Sequence, residues 1–260
     1  MTLATDPAYE TRLAAHRAAR LAELAADDGW LNLTDRVELA QGSASVGRDS
    51  GNDIVLSVGP ANLGRLTLVG NVASLTTAAG DTLDFMPEPE RPPRLRFAGL
   101  LLEIHTVDGR AALRVRDLSP NRRSVTLRYF PTDPAWVIRA DWVALARPVT
   151  RAAELVNGAS EAAVQTHSAR FFHAGTQVDL VPLHEKSGKP MFVFRDQTAG
   201  SETYGASRFL YGDAVDDGKI TLDFNTAFNP PCAFSDLAIC PLPPRENILP
   251  FRVEAGELNP

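Results

Sequence analysis

The residues best equipped for chemistry gather between Asp223 and Glu257. Asp223, Asn225, Asn229, Asp236, Asn247, Glu254 and Glu257 lie there, with several prolines and both cysteines, Cys232 and Cys240. Proline lacks the N–H that a sheet ladder needs, and the residue before it is pushed out of the helical region. Asn229-Pro230-Pro231 and Pro241-Leu242-Pro243-Pro244 therefore pin a stiff, irregular loop at both ends. Such a backbone leaves amides and carbonyls without ladder partners, and Asn and Asp side chains can satisfy them. The same side chains can grip a polar ligand or a hard cation.

A second polar loop, 196–205, carries Asp196, Thr198, Glu202 and Tyr204, and Arg208 opens the strand expected after it. A buried Arg208 must be paired, since an unpaired buried charge is costly. Glu202, Asp223 and Glu257 are its candidate partners. The two loops are expected to meet and enclose a pocket for a small polar or anionic ligand, with Arg208 as anion anchor. The ligand-binding set is then Asp196, Thr198, Glu202, Tyr204, Arg208, Asp223, Asn225, Asn229, Asn247, Glu254 and Glu257. Asp196, Glu202, Asp223 and Glu254 are also the oxygens a cation would want, with Asn225 or Asn229 joining them. An internal ion-pair network that ties the loops together would use the same residues.

Cys232 and Cys240 have seven residues between them, too many for a zinc pair, and no second pair exists. Buried structural thiols, a disulfide, and metal or redox chemistry all stay open. No nucleophile elbow, dinucleotide fingerprint or haem-attachment motif occurs. A Cys–His nucleophile using His173 or His184 has no local support. Glu185 to Pro190, which contains Ser187-Gly188-Lys189, reads as a hairpin turn and lacks the glycine spacing of a phosphate loop. The sequence names no reaction, cofactor or metal.

Five long segments, FRDQTAGSETYGASRFLY (194–211), LDFNTAFNPPCAF (222–234), CPLPPREN (240–247), EAGE (254–257) and YFPTDPAW (129–136), resemble the family catalogued as domain of unknown function 1684. RVRD (114–117) fits it too, so the resemblance runs from about Trp30 onward. It implies no activity. It does single out the candidate residues above, with Cys232 and Cys240, as matches to the family pattern. Ser207 departs from it, standing where a glycine is common before the arginine.

The chain has 260 residues, 44% of them hydrophobic, enough for one large domain or two smaller ones. A formal charge of -6 argues against duplex nucleic acid, which needs a basic face. No apolar run approaches membrane-spanning length and no signal peptide opens the chain, so a cytoplasmic protein is expected. Oligomeric state is not legible.

Residues 6–28 read as a helix, with Asp6 as cap, Pro7 in the first turn, and Arg12, Arg17, Arg20 and Glu23 on a solvated face. From 30 to 148 short strands and turns suggest a β-sandwich-like half. Arg91-Pro92-Pro93-Arg94 reads as a linker between strands, and 150–157 as a short helical turn. From 149 to 260 a C-terminal β barrel or sheet with long irregular loops is expected. The fold class is therefore mainly β, behind an N-terminal helix at 1–29.

SVGRDSGNDIVL (45–56) faintly resembles the opening of a forkhead-associated domain, a sandwich that reads phosphothreonine. The resemblance implies a phosphate-facing role for Arg48 in a non-enzymatic interaction module. The Ser-x-x-His signature is missing from 57–66, and 117–122 is only an echo of the later Asn-Gly signature.

Overall fold

The computed structural model describes residues 6–260 except 90, 108, 120–123, 157, 159, 187 and 188. The Ser187-Gly188 turn and the 117–122 echo thus fall wholly or partly outside the described residues. The chain is mainly β: the described residues are 48% strand and 14% helical, and no sheet among them closes into a barrel. It forms two compact units, 1–21 with 125–260, and 22–124. Among the described residues no helix is long and apolar enough to cross a membrane.

Helix α1 (Pro7–Ala25) begins as its sequence directs. Proline tolerates the first turn, where its missing N–H has no partner to lose, and the Asp6 carboxylate accepts from Ala8 N at 3.0 Å.

In the unit 22–124 the strands are β1 (Leu33–Glu38), β2 (Gly42–Gly47), β3 (Ile54–Val55), β4 (Gly64–Val69), β5 (Val72–Thr77), β6 (Thr82–Asp84), β7 (Met86–Glu88), β8 (Arg91–Phe97), β9 (Leu100–Val107) and β10 (Arg110–Asp117). They form two five-stranded sheets, ordered β1-β10-β9-β8-β7 and β3-β2-β4-β5-β6. Alternation decides what goes inside. Leu66, Leu68 and Leu75 from one sheet join Leu100, Leu102, Leu113 and Val115 from the other in one core. Arg91 to Arg94 is not a linker but the start of β8. Its prolines are tolerated because pairing to β9 begins only at Arg94, and the β7–β8 register is irregular beside them.

In the other unit the strands are β11 (Val137–Glu154), β12 (Ser160–His173), β13 (Thr176–Leu180), β14 (His184–Lys186), β15 (Lys189–Phe194), β16 (Arg208–Tyr211) and β17 (Lys219–Asp223). They form a four-stranded sheet, β13-β12-β11-β17, and a three-stranded one, β14-β15-β16. Phe171, Phe192, Phe194, Leu210, Leu222 and Phe224 share a core drawn from both. Burying each such side chain stabilises the fold by about 1.5–3 kcal/mol. Residues 150–154 continue β11 instead of turning into a helix. Val149 to Glu154 pairs with β12 in register, after an irregularity between Ala144 and Val149 that absorbs Pro148.

The helix corrects a third expectation. Arg20 is not on a solvated face: it is 8% exposed and its Nε lies 3.3 Å from Glu257. Its guanidinium sits over the Phe228 ring at 4.6 Å, and that of Arg17 over Tyr129 at 4.3 Å.

Candidate functional site

The loops 196–205 and 223–257 do meet, and Arg208 is where they are tied. It opens β16, on the face turned to the core, and is 1% exposed. Its partner is Asp196, at 3.1 Å, not Glu202, Asp223 or Glu257. The guanidinium also donates to Ala255 O at 2.5 Å and Val253 O at 2.9 Å, and lies over Phe194. Asp196 accepts from Val253 N at 2.7 Å and from the Thr198 hydroxyl, which in turn contacts Thr203 Oγ at 2.9 Å. Burial lowers the Arg208 pKa, and the Asp196 carboxylate opposes that shift. Ser207, buried beside it, is not among the residues with positive φ, so the backbone there asks for no glycine.

The asparagines close the same circuit. Asn229 N donates to Glu257 Oε2 at 2.8 Å, Asn229 Nδ2 to Leu258 O at 2.7 Å, and Arg20 to Asn229 O at 2.9 Å. Burial raises the Glu257 carboxyl above its ordinary range, with Arg20 opposing. Asn247 is wholly buried: it accepts from Val181 N at 2.9 Å and donates to Val181 O and Val193 O at 2.9 and 2.8 Å. Asn225 exchanges two bonds with the Asp133 backbone and donates to Asp223 Oδ1.

Asp223 also lines a cavity. At the end of β17 its side chain caps a short turn at Phe224–Thr226 by accepting from Asn225 N at 3.0 Å. Tyr9 on α1 donates to both of its oxygens, at 3.0 and 2.9 Å. Around this pair lies a cleft of about 300 Å³, lined also by Arg12, His16, Val137, Thr221 and Thr226. Burial, then the Asp223 carboxylate, pushes the Tyr9 hydroxyl well above its ordinary pKa, so it stays a donor. His16 is held below its usual value, chiefly by burial, although a backbone bond at Thr226 and the Asp223 charge act the other way. Much of its surface still meets water, so the desolvation is partial. The cleft thus offers a phenol, an imidazole, a guanidinium and two carboxylates, Asp223 and Asp213, the latter paired with Lys189.

A profile of the family described as "Protein of unknown function (DUF1684)" matches residues 125–258. The chain belongs to that family. RVRD (114–117) lies outside the matched segment. Among solved structures, the chain is similar to an uncharacterized protein from gene locus rrnAC0354 of Haloarcula marismortui, determined in solution by NMR. That protein is 31% identical over 51% of this chain and 75% of its own, with a TM-score of 0.43. No curated protein matches the chain.

Within the DUF1684 segment the carboxylates do not converge. Glu202 and Glu254 both pair with Arg252, while Asp196 is taken by Arg208 and Asp223 by Tyr9 and Asn225. Among the described residues no group of three His, Cys, Asp or Glu stands ready for a metal. Tyr204 sits instead at Cys232, which carries a hydrogen bond from it. Tyr9 and His16 are absent from the residues singled out above, and Arg12 is there only as part of a solvated face. Their signal was there: with Leu13 they fall at i, i+3, i+4 and i+7, one helical face that mixes an apolar anchor with three chemically able side chains.

Proposed function

We propose that this protein binds a small polar ligand in the cleft between α1 and β17, with Asp223 and Tyr9 at its floor. The observation that carries this is the cleft itself: of the candidate residues, Asp223 is the one that both holds a hydrogen-bond network and lines this cavity. Its Oδ2 meets Tyr9, and two lone pairs on each carboxylate oxygen leave capacity for a further donor. A ligand that fits offers a hydroxyl or ammonium to Asp223 and an anionic end to Arg12, as a small zwitterion or hydroxy acid does. In this reading Arg208, Asp196, Thr198, Asn225, Asn229, Asn247 and Glu257 act as scaffold, and Glu202 and Glu254 as a surface pair with Arg252. We infer the cytoplasm as the working compartment; both cysteines are free thiols, as a reducing compartment keeps them.

The test is calorimetric titration of the purified chain with a panel of small zwitterions and hydroxy acids. One class should bind with saturation, and Asp223→Asn and Tyr9→Phe should each weaken it by about 10–100-fold, the usual range for removing a charged hydrogen-bond partner of about 1.5–3 kcal/mol. Arg12→Ala should weaken the anionic members most. Binding that is indifferent to all three substitutions sinks the proposal.

A second reading keeps the unit 22–124 as a non-enzymatic interaction module. It is favoured by a surface cavity of about 510 Å³ lined by Ser45, Asn52, Asn62, Arg65 and Thr76. Arg48 is exposed beside it, on the loop that Asn52 braces through Asp49 O and Ala61 O. Two acidic residues, Asp49 and Asp53, share this edge and weigh against an anionic partner. Loss of phosphothreonine-peptide binding in Arg48→Ala, with the Asp223 variants unaffected, would select this reading.

A further inference from the structure

The cysteines lie outside the cleft and have no part in the ligand reading, yet the fold brings them together. Cys232 sits on the short turn Pro231–Ala233 and is partly exposed, while Cys240 is 2% exposed. Cys232 N donates to Cys240 Sγ at 3.2 Å. The two thiols are hydrogen-bonded to each other, and the Tyr204 hydroxyl bonds the Cys232 sulfur. The loop that carries them is fixed at both ends. Ala233 N and Phe234 N bond back to Pro230 O and Pro231 O, and Val156 N holds Cys240 O at 2.9 Å. The loop thus holds the second sulfur within hydrogen-bond reach of the first.

We propose that Cys232 and Cys240 form a reactive dithiol, in which Cys232 is the sulfur that a small hydroperoxide oxidises and Cys240 resolves the product into an intramolecular disulfide. In the first step the Cys232 thiolate attacks the outer peroxide oxygen. The O–O bond breaks, the leaving alkoxide takes a proton from water, and Cys232 becomes a sulfenic acid. In the second step the Cys240 sulfur attacks the Cys232 sulfur, the S–S bond forms and water leaves. Two thiols and one hydroperoxide give one disulfide, one alcohol and one water, so the thiols supply the two electrons that the peroxide takes up.

The division of labour follows from exposure. Cys232 is partly exposed and Cys240 is buried, so the oxidant reaches Cys232 first. The hydrogen bond from Cys240, and then that from Tyr204, pull the Cys232 thiol down to about 7, against the effect of burial. Near neutrality a large share is then thiolate, the form that reacts. Tyr204, pushed up by burial and by Cys232 itself, stays protonated and keeps donating.

The experiment takes the reduced full-length chain, adds hydrogen peroxide, and reads intact mass and peptide maps. The expected product has lost two hydrogens and carries a Cys232–Cys240 bridge that dithiothreitol reverses. Cys240→Ser should stop at a sulfenic acid on Cys232, trapped by dimedone, and Cys232→Ser should give neither product. On the unmutated chain, iodoacetamide alkylation of Cys232 should rise with a midpoint near pH 7, and Tyr204→Phe should slow it several-fold at that pH. A chain whose thiols resist peroxide, an intermolecular disulfide, or Cys232 passing to sulfinic acid with Cys240 untouched would each overturn the proposal. So would an alkylation midpoint at the ordinary thiol value of about 8.5.

Discussion

Arg208→Ala is expected to remove about 3–5 kcal/mol of stability, the usual cost of breaking one side of a buried ion pair. Against a total of about 5–15 kcal/mol for a native protein, that is enough to leave the unit partly unfolded. The reason lies in what stays behind. Asp196 remains buried at 6% exposure without its cation, and the carbonyls of Val253 and Ala255 lose their donor. The emptied volume also faces Phe194, so a cavity is added to the electrostatic loss. Arg208→Lys should lose less than alanine but still be clearly weaker than arginine. One compact ammonium cannot reproduce a planar fork that reaches a carboxylate and two carbonyls at once. Urea denaturation followed by circular dichroism measures both variants. A loss under about 1 kcal/mol for Arg208→Ala, the size of a surface pair, would show that the pair does not hold the loops together.

Arg208 also shows how far the sequence could be read. That it needed a partner was legible from charge and strand alternation alone. Which partner it took was not, because Asp196 lies only twelve residues away while Glu202, Asp223 and Glu257 carry the same chemistry. Choosing among identical carboxylates requires the path of the backbone. The strands were legible wherever residues alternate, as in β4 and β17, or run apolar, as in β9, β10, β15 and β16. β11 was hidden by Pro148, and β8 by its two prolines, since local turn chemistry there is outweighed by ladder partners that are distant in sequence. The helix was legible in extent and cap but not in role. Arg20 and Tyr9 look like surface residues until Glu257 and Asp223 arrive from more than two hundred residues away. Many of the candidate residues hold buried hydrogen bonds or ion pairs, while Glu202 and Glu254 pair with Arg252 at the surface. Only Asp223 among them also borders the cleft now proposed as the site.

Asn247→Asp is expected to be a large and strongly pH-dependent lesion, and its sign separates bracing from binding. The Asn247 amide donates to the carbonyls of Val181 and Val193 and accepts from Val181 N, with no exposed surface. A carboxylate keeps the acceptor and turns the donor end into a second negative oxygen aimed at two carbonyls. At neutral pH this buried, unpaired charge should cost about 3–5 kcal/mol. Burial and the carbonyls raise the folded-state pKa of the new carboxyl above its unfolded value of about 4. The folded state then holds its proton more tightly. The variant is therefore nearest to the parent below about pH 4, and it loses ground as pH rises through the folded pKa, at about 1.4 kcal/mol per unit across the gap. Asn247→Leu supplies the comparison: it orphans the same three backbone groups, at about 1–3 kcal/mol each, with no titrating group to make the deficit depend on pH. Denaturation midpoints of both variants between about pH 4 and 8 decide the matter. An Asn247→Asp deficit that is flat across that range would mean the amide does not face those carbonyls. It would return Asn247, with the CPLPPREN segment that carries it, to the residues available for a ligand.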